Sequence, residues 1–233
     1  MKTKKIVYKL IAAFLIPVIL IVLLGVLSYE TAAKQITKQY VDSICSEINS
    51  VSSYYNLLCN SVEEDATQLV SSEELIDYYG KFVGKNDFQA VQSAGDAKVL
   101  LDSTRAVGDY IYSYAVIADK EGSMSSEKKE FSADAYEKFS QSEEVQGIGK
   151  GKGKWSGYHS FMDEALGIDA NNYAVSYTRK LSKGAGYLIL DIHSNKFIEK
   201  MKIGGEYAIS GIVAPDGREL LFKTLQNRPI YCL

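Results

Sequence analysis

Three different rhythms of apolar and polar residues follow one another along this chain. Leu10 to Tyr29 reads LIAAFLIPVILIVLLGVLSY, without a charge. Twenty helical residues rise about 30 Å, the thickness of a bilayer's hydrocarbon core, so the stretch predicts a membrane-spanning helix. Pro17 and Gly25 are compatible with such a helix. From residue 31 to 70 the apolar positions Ile36, Tyr40, Ile44, Ile48, Val51, Tyr55, Leu58, Val62, Ala66 and Leu69 recur in steps of three and four, with no Gly or Pro. That spacing predicts one amphipathic helix, about 60 Å long if unbroken, as a coiled-coil stalk or the spine of a domain. Ser71-Ser72-Glu73-Glu74 reads as a new helix start with acidic groups in its first turn. Gly80, Gly84 and Asn86 interrupt it, and another helix is expected over 89–103.

The period then falls to two. Residues 110–117 (YIYSYAVI) predict a strand closed by Asp119-Lys120-Glu121-Gly122 as a turn. Residues 123–132 read as polar loop, 133–145 as a short helix and GIGKGKGK (147–154) as a flexible segment. Strands are expected at 173–181 and 186–192, a helix at 194–201, and strands at 207–213 and 218–222 around Pro215-Asp216-Gly217. Strands that are not consecutive beside a long helix make this an α+β body. The last strand pair lacks the partners that a two-stranded hairpin needs in water, so the sequence is expected to be a fragment or truncated reading frame.

Charge orients the apolar helix. Lys2, Lys4, Lys5 and Lys9 precede it and Glu30 follows, which puts the N-terminus in the cytoplasm and the body outside. A cleaved signal peptide is the other reading, with Thr31-Ala32-Ala33 as its small-residue site, although its apolar region is normally roughly 7–15 residues. Both readings make the body extracytoplasmic. Beyond Glu30 acidic groups outnumber basic ones, so that part repels phosphate backbones and a nucleic-acid partner is not expected. Cys45 and Cys59 lie fourteen residues apart on the predicted helix, too far to bridge each other. Their shared heptad position leaves a crosslink across a parallel dimer open beside a plain role as small apolar residues.

Known catalytic spacings do not fit. GIGKGKGK has neither the phosphate-loop nor the dinucleotide glycine pattern. His159 and His193 have no partners at metal-ligand spacing, and the cysteines form no C-x-x-C pair. The chain reads as a non-enzyme without a cofactor.

Binding is the better prospect. The composition is heavy in tyrosine, with 17 Tyr against 8 Phe and 1 Trp, which suits half-buried, polar-tipped surfaces. Strict alternation predicts that Tyr110, Tyr112 and Tyr114 share one sheet face, and that Tyr173, Val175, Tyr177 and Arg179 fall together. Tyr187, Ile189 and Asp191 then oppose Leu188, Leu190 and Ile192. One face is expected to be aliphatic and packed on the helical spine, the other aromatic and able to line a small-molecule cleft. Asp191 suits a ligand ammonium, Arg179 a carboxylate and the tyrosine rings a cation. Trp155, Tyr158 and His159 follow the glycine-rich segment as a candidate lid. The competing reading is a solvated sheet face carrying an Arg–Asp surface pair.

Together these residues carry a resemblance. LIAAFLIPVILIVLLGVLSYETAAKQI and the helix after it resemble the N-terminus of bacterial methyl-accepting chemotaxis proteins. YSYAVIADKEG, KWSGYHS, YAVSYTRKLSKGAGYLILDIHSNKF and YAISGIVAPDGREL resemble an extracellular double Cache sensor domain, a PAS-like antiparallel sheet module. The resemblance covers most of residues 6–222. It implies a cytoplasmic tail (1–9), a transmembrane helix (10–29), a long helix with a membrane-distal sensor module (30–202), and the start of a truncated membrane-proximal module (203–233). It further implies that Asp191, Trp155 and the strand aromatics Tyr112, Tyr114, Tyr173 and Tyr177 line the distal pocket, with Tyr158 and Arg179 beside them. The family's amino-acid-binding subset has an Arg two residues before the tryptophan and a Tyr after it, whereas this chain has Gly153 and Ser156.

The expectation is therefore a plasma-membrane ligand sensor for an amine, amino acid or carboxylate, dimeric through its long helix, without the cytoplasmic signalling hairpin. A sensor half of a membrane histidine kinase or diguanylate cyclase, and a stand-alone anchored solute-binding protein, are the alternatives.

Overall fold

The computed structural model describes residues 2–120, 122–149, 151–199 and 209–223. The chain is α+β and divides after Asn49 into two compact units. The first unit is helical. It belongs to α1 (Lys2–Ser71), which contains Pro17 and includes a stretch long and apolar enough to cross a membrane. Large apolar side chains of that stretch, such as Phe14, Ile21 and Leu24, are exposed.

The second unit starts within α1 and continues through α2 (Glu73–Asp77), a π-helical turn (Tyr78–Phe82) and α3 (Phe88–Val107). Both new helices start where short polar side chains satisfy free backbone donors. Ser72 Oγ accepts from the Leu75 N–H at 3.4 Å, and Asp87 Oδ1 accepts from the Ala90 N–H at 2.8 Å. After α3 come β1 (Ile111–Ala118), β2 (Met124–Ser125), α4 (Ala135–Gln141), β3 (Gly153–Ser156) and α5 (Ser160–Leu166). Then follow β4 (Tyr173–Lys180), β5 (Gly186–His193), α6 (Ser194–Ile198), β6 (Ile209–Val213) and β7 (Glu219–Lys223).

Strands β1 to β5 form one antiparallel sheet in the order β2-β1-β5-β4-β3, and β6 and β7 form a separate hairpin. β3 begins at the end of the segment expected to be flexible, which it shares at Gly153 and Lys154. Gly153 pairs there with Arg179, and a Cβ at this position would collide with the Tyr177 hydroxyl, so packing requires the glycine. The first two residues of the expected 207–213 strand, and most of the expected second module, lie outside the described residues.

Each side of the sheet carries its own core. On one side Val116, Leu188, Leu190 and Ile192 pack with Leu58, Val62, Ala66 and Leu69 of α1 and Leu101 of α3. On the other, Ala115, Ile117 and Ile189 pack with Phe139 of α4, Met162 and Leu166 of α5, and Val145 and Ile168 between elements.

The expectation of an aliphatic helix side and an aromatic far side is corrected. Tyr114, Tyr177 and Trp155 join the helix-side core, and Tyr112, Tyr173 and Tyr187 the other. Helix carboxylates account for two of the first group, Tyr114 and Trp155, because a buried ring keeps its polar tip satisfied. Tyr114 donates to Asp102 Oδ1 at 2.6 Å, and Trp155 Nε1 to Glu63 Oε1 at 2.8 Å. Register slips account for the separations within strands. Between the pairs Ile111↔Ile192 and Ser113↔Asp191 strand β1 has one residue more than β5, and between Tyr173↔His193 and Ser176↔Asp191 so has β4. These two bulges put Tyr112 and Tyr114, and likewise Tyr173 and Tyr177, on opposite sides, against strict alternation.

Candidate functional site

Asp191 lies in the middle of β5, flanked by both bulges, and is only 2% exposed. A lone carboxylate at that depth is costly, so its partners decide what the site is. Ser113 Oγ donates to Oδ2 at 2.5 Å from β1, and Ser176 Oγ donates to Oδ1 from β4. His159 Nε2 lies 2.6 Å from Oδ1. Asp191 is thus held from both neighbouring strands and from the loop before α5.

His159 is buried to the same degree and has a carboxylate on either side. Its Nδ1 lies 3.3 Å from Asp163 Oδ1, within ion-pair distance but outside hydrogen-bonding alignment. Its ring stacks on Tyr173, with centroids 4.8 Å apart and planes 15° from parallel. The Tyr173 hydroxyl donates to Asp163 at 2.9 Å and accepts from the His159 backbone N–H at 3.1 Å.

Burial alone pulls the His159 pKa down. The Asp191 charge, the nearby Asp163 carboxyl and the hydrogen bond to Asp191 outweigh it and raise the pKa to about 10. Burial likewise pushes the Asp191 carboxyl up, and the His159 charge with the bonds from His159, Ser113 and Ser176 brings it below the usual carboxylate range. Burial first, and Asp163 second, raise the Tyr173 phenol. At neutral pH the centre therefore holds an imidazolium between carboxylates, under an aromatic face.

The β6–β7 hairpin reaches the same loop. Asp216 Oδ2 accepts from the backbone N–H groups of Gly157 (2.6 Å) and Tyr158 (3.2 Å). Arg218 donates to the carbonyls of Gly157 (2.5 Å) and Ala170 (2.6 Å), and its guanidinium lies 5.5 Å from the Tyr158 ring centroid and 5.4 Å from that of Tyr173. The Pro215-Asp216-Gly217-Arg218 turn thus grips the backbone next to His159.

The candidate residues divide into groups. Asp191 and Tyr173 meet at the buried centre, and Tyr112 lies at its edge, bonded by Asn172 Nδ2 at 3.0 Å and packed against His193. Tyr158 is 51% exposed beneath Arg218. Trp155, Tyr114 and Tyr177 lie across the sheet, with Trp155 and Tyr177 in ring contact at 4.9 Å. Arg179 donates to the Gly151 carbonyl at 2.9 Å and to the Tyr177 hydroxyl at 3.3 Å, so the expected convergence of Arg179 with Asp191 is not formed.

Ser113, Ser176, Asp163 and the pairing role of His159 were not singled out in the sequence. A signal for the serines exists: small polar residues inside apolar strands, opposite a buried aspartate, need a partner. Among the described residues no three of His, Cys, Asp or Glu converge as metal ligands.

An open cavity of about 830 Å³ lies elsewhere, lined by Lys98, Asp102, Met124, Lys128, Phe131 and Tyr136 among others. It is away from Asp191. No family model and no curated protein matches this chain.

Proposed function

We propose that this chain is the extracytoplasmic ligand-sensing part of a transmembrane chemoreceptor of the double Cache type, with its N-terminus in the cytoplasm. The observation that carries the reading is Asp191, a carboxylate bound from two strands and a loop on the side of the sheet away from α1. A buried charge retained among apolar strands suits recognition of a cationic group better than it suits stability.

The element order supports the same reading. A helix with a membrane-length apolar stretch precedes a sheet with helical insertions, and a hairpin follows. The ligand is a small molecule carrying a nitrogen cation, the class to which amines and amino acids belong; a simple carboxylate has no complement at Asp191. Two copies pair through the exposed face of α1, and binding shifts a two-state element between them.

The test is thermal melting of the full chain in detergent with a panel of amines, amino acids and carboxylates. Cationic members should raise the melting temperature, and Asp191→Asn should abolish the rise while the helical circular-dichroism signal stays. A panel without stabilising members, or a rise that survives Asp191→Asn, would remove the reading. Joining residues 1–233 to the cytoplasmic hairpin of a chemoreceptor should make its kinase output respond to the same compounds.

A further inference from the structure

We propose that His159 is a built-in occupant of a cation slot, and that the ligand is a planar nitrogen cation (an imidazolium, amidinium or guanidinium) that enters by displacing its ring. The purpose of the slot rests on the sensor reading above. The slot itself rests on four features of the protein.

The walls come first. Asp191 lies on one edge of the imidazole and Asp163 on the other, and the Tyr173 ring covers its face. Two carboxylates around one aromatic-capped cation is the way a protein recognises an organic cation.

The shape of the slot selects among cations. The imidazole and the Tyr173 ring are 15° from parallel, so the space between the carboxylates is flat. A tetrahedral ammonium fills such a space poorly. A planar cation with two N–H donors on opposite edges fits both the stacking face and the two acceptors.

The present occupant fits imperfectly. Nε2 makes a short contact with Asp191, yet Nδ1 is buried without a hydrogen-bond partner, 3.3 Å from Asp163 and out of line. A buried donor left in that condition costs free energy that a better-spaced ligand recovers.

The occupant also comes from outside the sheet. Asp191, Ser113, Ser176 and Tyr173 stand on three adjacent strands, whereas His159 precedes the seven-residue helix α5 and caps it with no side-chain bond. Its ring can leave while the strands keep their pairing. Gly157 and Tyr158, immediately before it, are held by Asp216 and Arg218, so departure of the ring reaches the β6–β7 hairpin through three residues of backbone.

Imidazole rescue of a His159→Gly variant tests this, using the full chain in detergent at about pH 6, below the ordinary imidazole pKa. The variant should melt lower than wild type and recover about 3 °C or more with millimolar imidazole or acetamidine. Methylammonium should do less, and pyrazole, uncharged and of the same size, should do nothing. Adding Asp191→Asn should erase the rescue. Equal effects of imidazole and pyrazole on the folded variant would overturn the slot.

Should the variant fold only with help, refolding with imidazole but not with pyrazole supports the proposal, and failure with both overturns it. His159→Gln supplies the second arm. It removes the competing charge, so acetamidine should bind it about tenfold more tightly than wild type. Equal or weaker binding would remove the idea of displacement. Imidazole rescue beside a wild type that responds to no small molecule would keep the slot and remove the sensor. Ligands that bind wild type and His159→Gln alike would keep the sensor and remove the stand-in.

Discussion

The indole Nε1 of Trp155 donates to Glu63 Oε1 at 2.8 Å, joining β3 to α1 across 92 residues of chain. β3 is an edge strand of four residues, paired only with β4. So short an edge has little to hold it besides its ladder, and the indole supplies both ring packing on Tyr177 and a hydrogen bond to a charged acceptor. Trp155→Phe should cost about 2 kcal/mol in denaturant unfolding. Glu63→Gln, which keeps an acceptor, should cost less than half of that. Equal losses would place the stabilisation in the helix and not in the bond.

The buried pair gives stability a defined dependence on pH. His159 has its folded pKa raised to about 10, so its contribution is full below the ordinary imidazole value of roughly 6.5 and is lost as pH rises through 10. Asp191 has its folded pKa lowered, so its contribution is present above the ordinary carboxylate range and is lost as pH falls through the depressed value. The melting temperature of wild type should therefore fall by several degrees between about pH 7 and pH 10. His159→Gln should flatten that slope, and an unchanged slope would show that the loss arises elsewhere.

Removing one partner is expected to be worse than altering both. Asp191→Ala strands a buried imidazolium and should cost about 3–5 kcal/mol, whereas Asp191→Asn combined with His159→Gln should cost less than the single alanine change. Chemical denaturation of the three variants decides the order.

Gly157 is where the hairpin meets the loop. A Cβ there would lie 2.5 Å from both Arg218 Cβ and Asp216 Oδ1 and 3.0 Å from Ala214 Cβ. Gly157→Ala should thus push the turn away at a cost of about 1–3 kcal/mol. Hydrogen exchange should quicken in β6 and β7 while β4 and β5 stay protected. Uniform quickening would mean that the hairpin is not a separate unit of motion.

The helices were legible because their signals are local: period, caps and the absence of breakers locate the end of α1 and the start of α3 to within a residue, although α1 begins eight residues before the expected Leu10. The sheet strands β1, β4 and β5 were legible for the same reason. The partition of tyrosines was not, since it depends on where each strand gains a residue, and a bulge leaves no mark in alternation. Tyr112 and Tyr114 look equivalent in the sequence until the Ile111↔Ile192 and Ser113↔Asp191 pairs separate them. Asp191 stood out as a charge in an apolar strand. The pairing of His159, read only as part of a lid, did not, because its partner is 32 residues away and no spacing rule joins a loop to a strand centre.

The bulges beside Asp191 make the site depend on chain length as well as on chemistry. A strand has only two phases, and one residue converts either into the other. Removing a single codon at Tyr112 would excise the extra residue and leave Ser113 opposite Asp191. Removing Tyr114 from the regular stretch would instead move Ser113 opposite Leu190, turn it towards α1 and strip Asp191 of a donor. A library of substitutions would not reveal that difference. Single-codon deletions across 110–114 and 173–177 would expose it, and they would mark the two places where descendants of this sequence can shorten a strand and keep the centre.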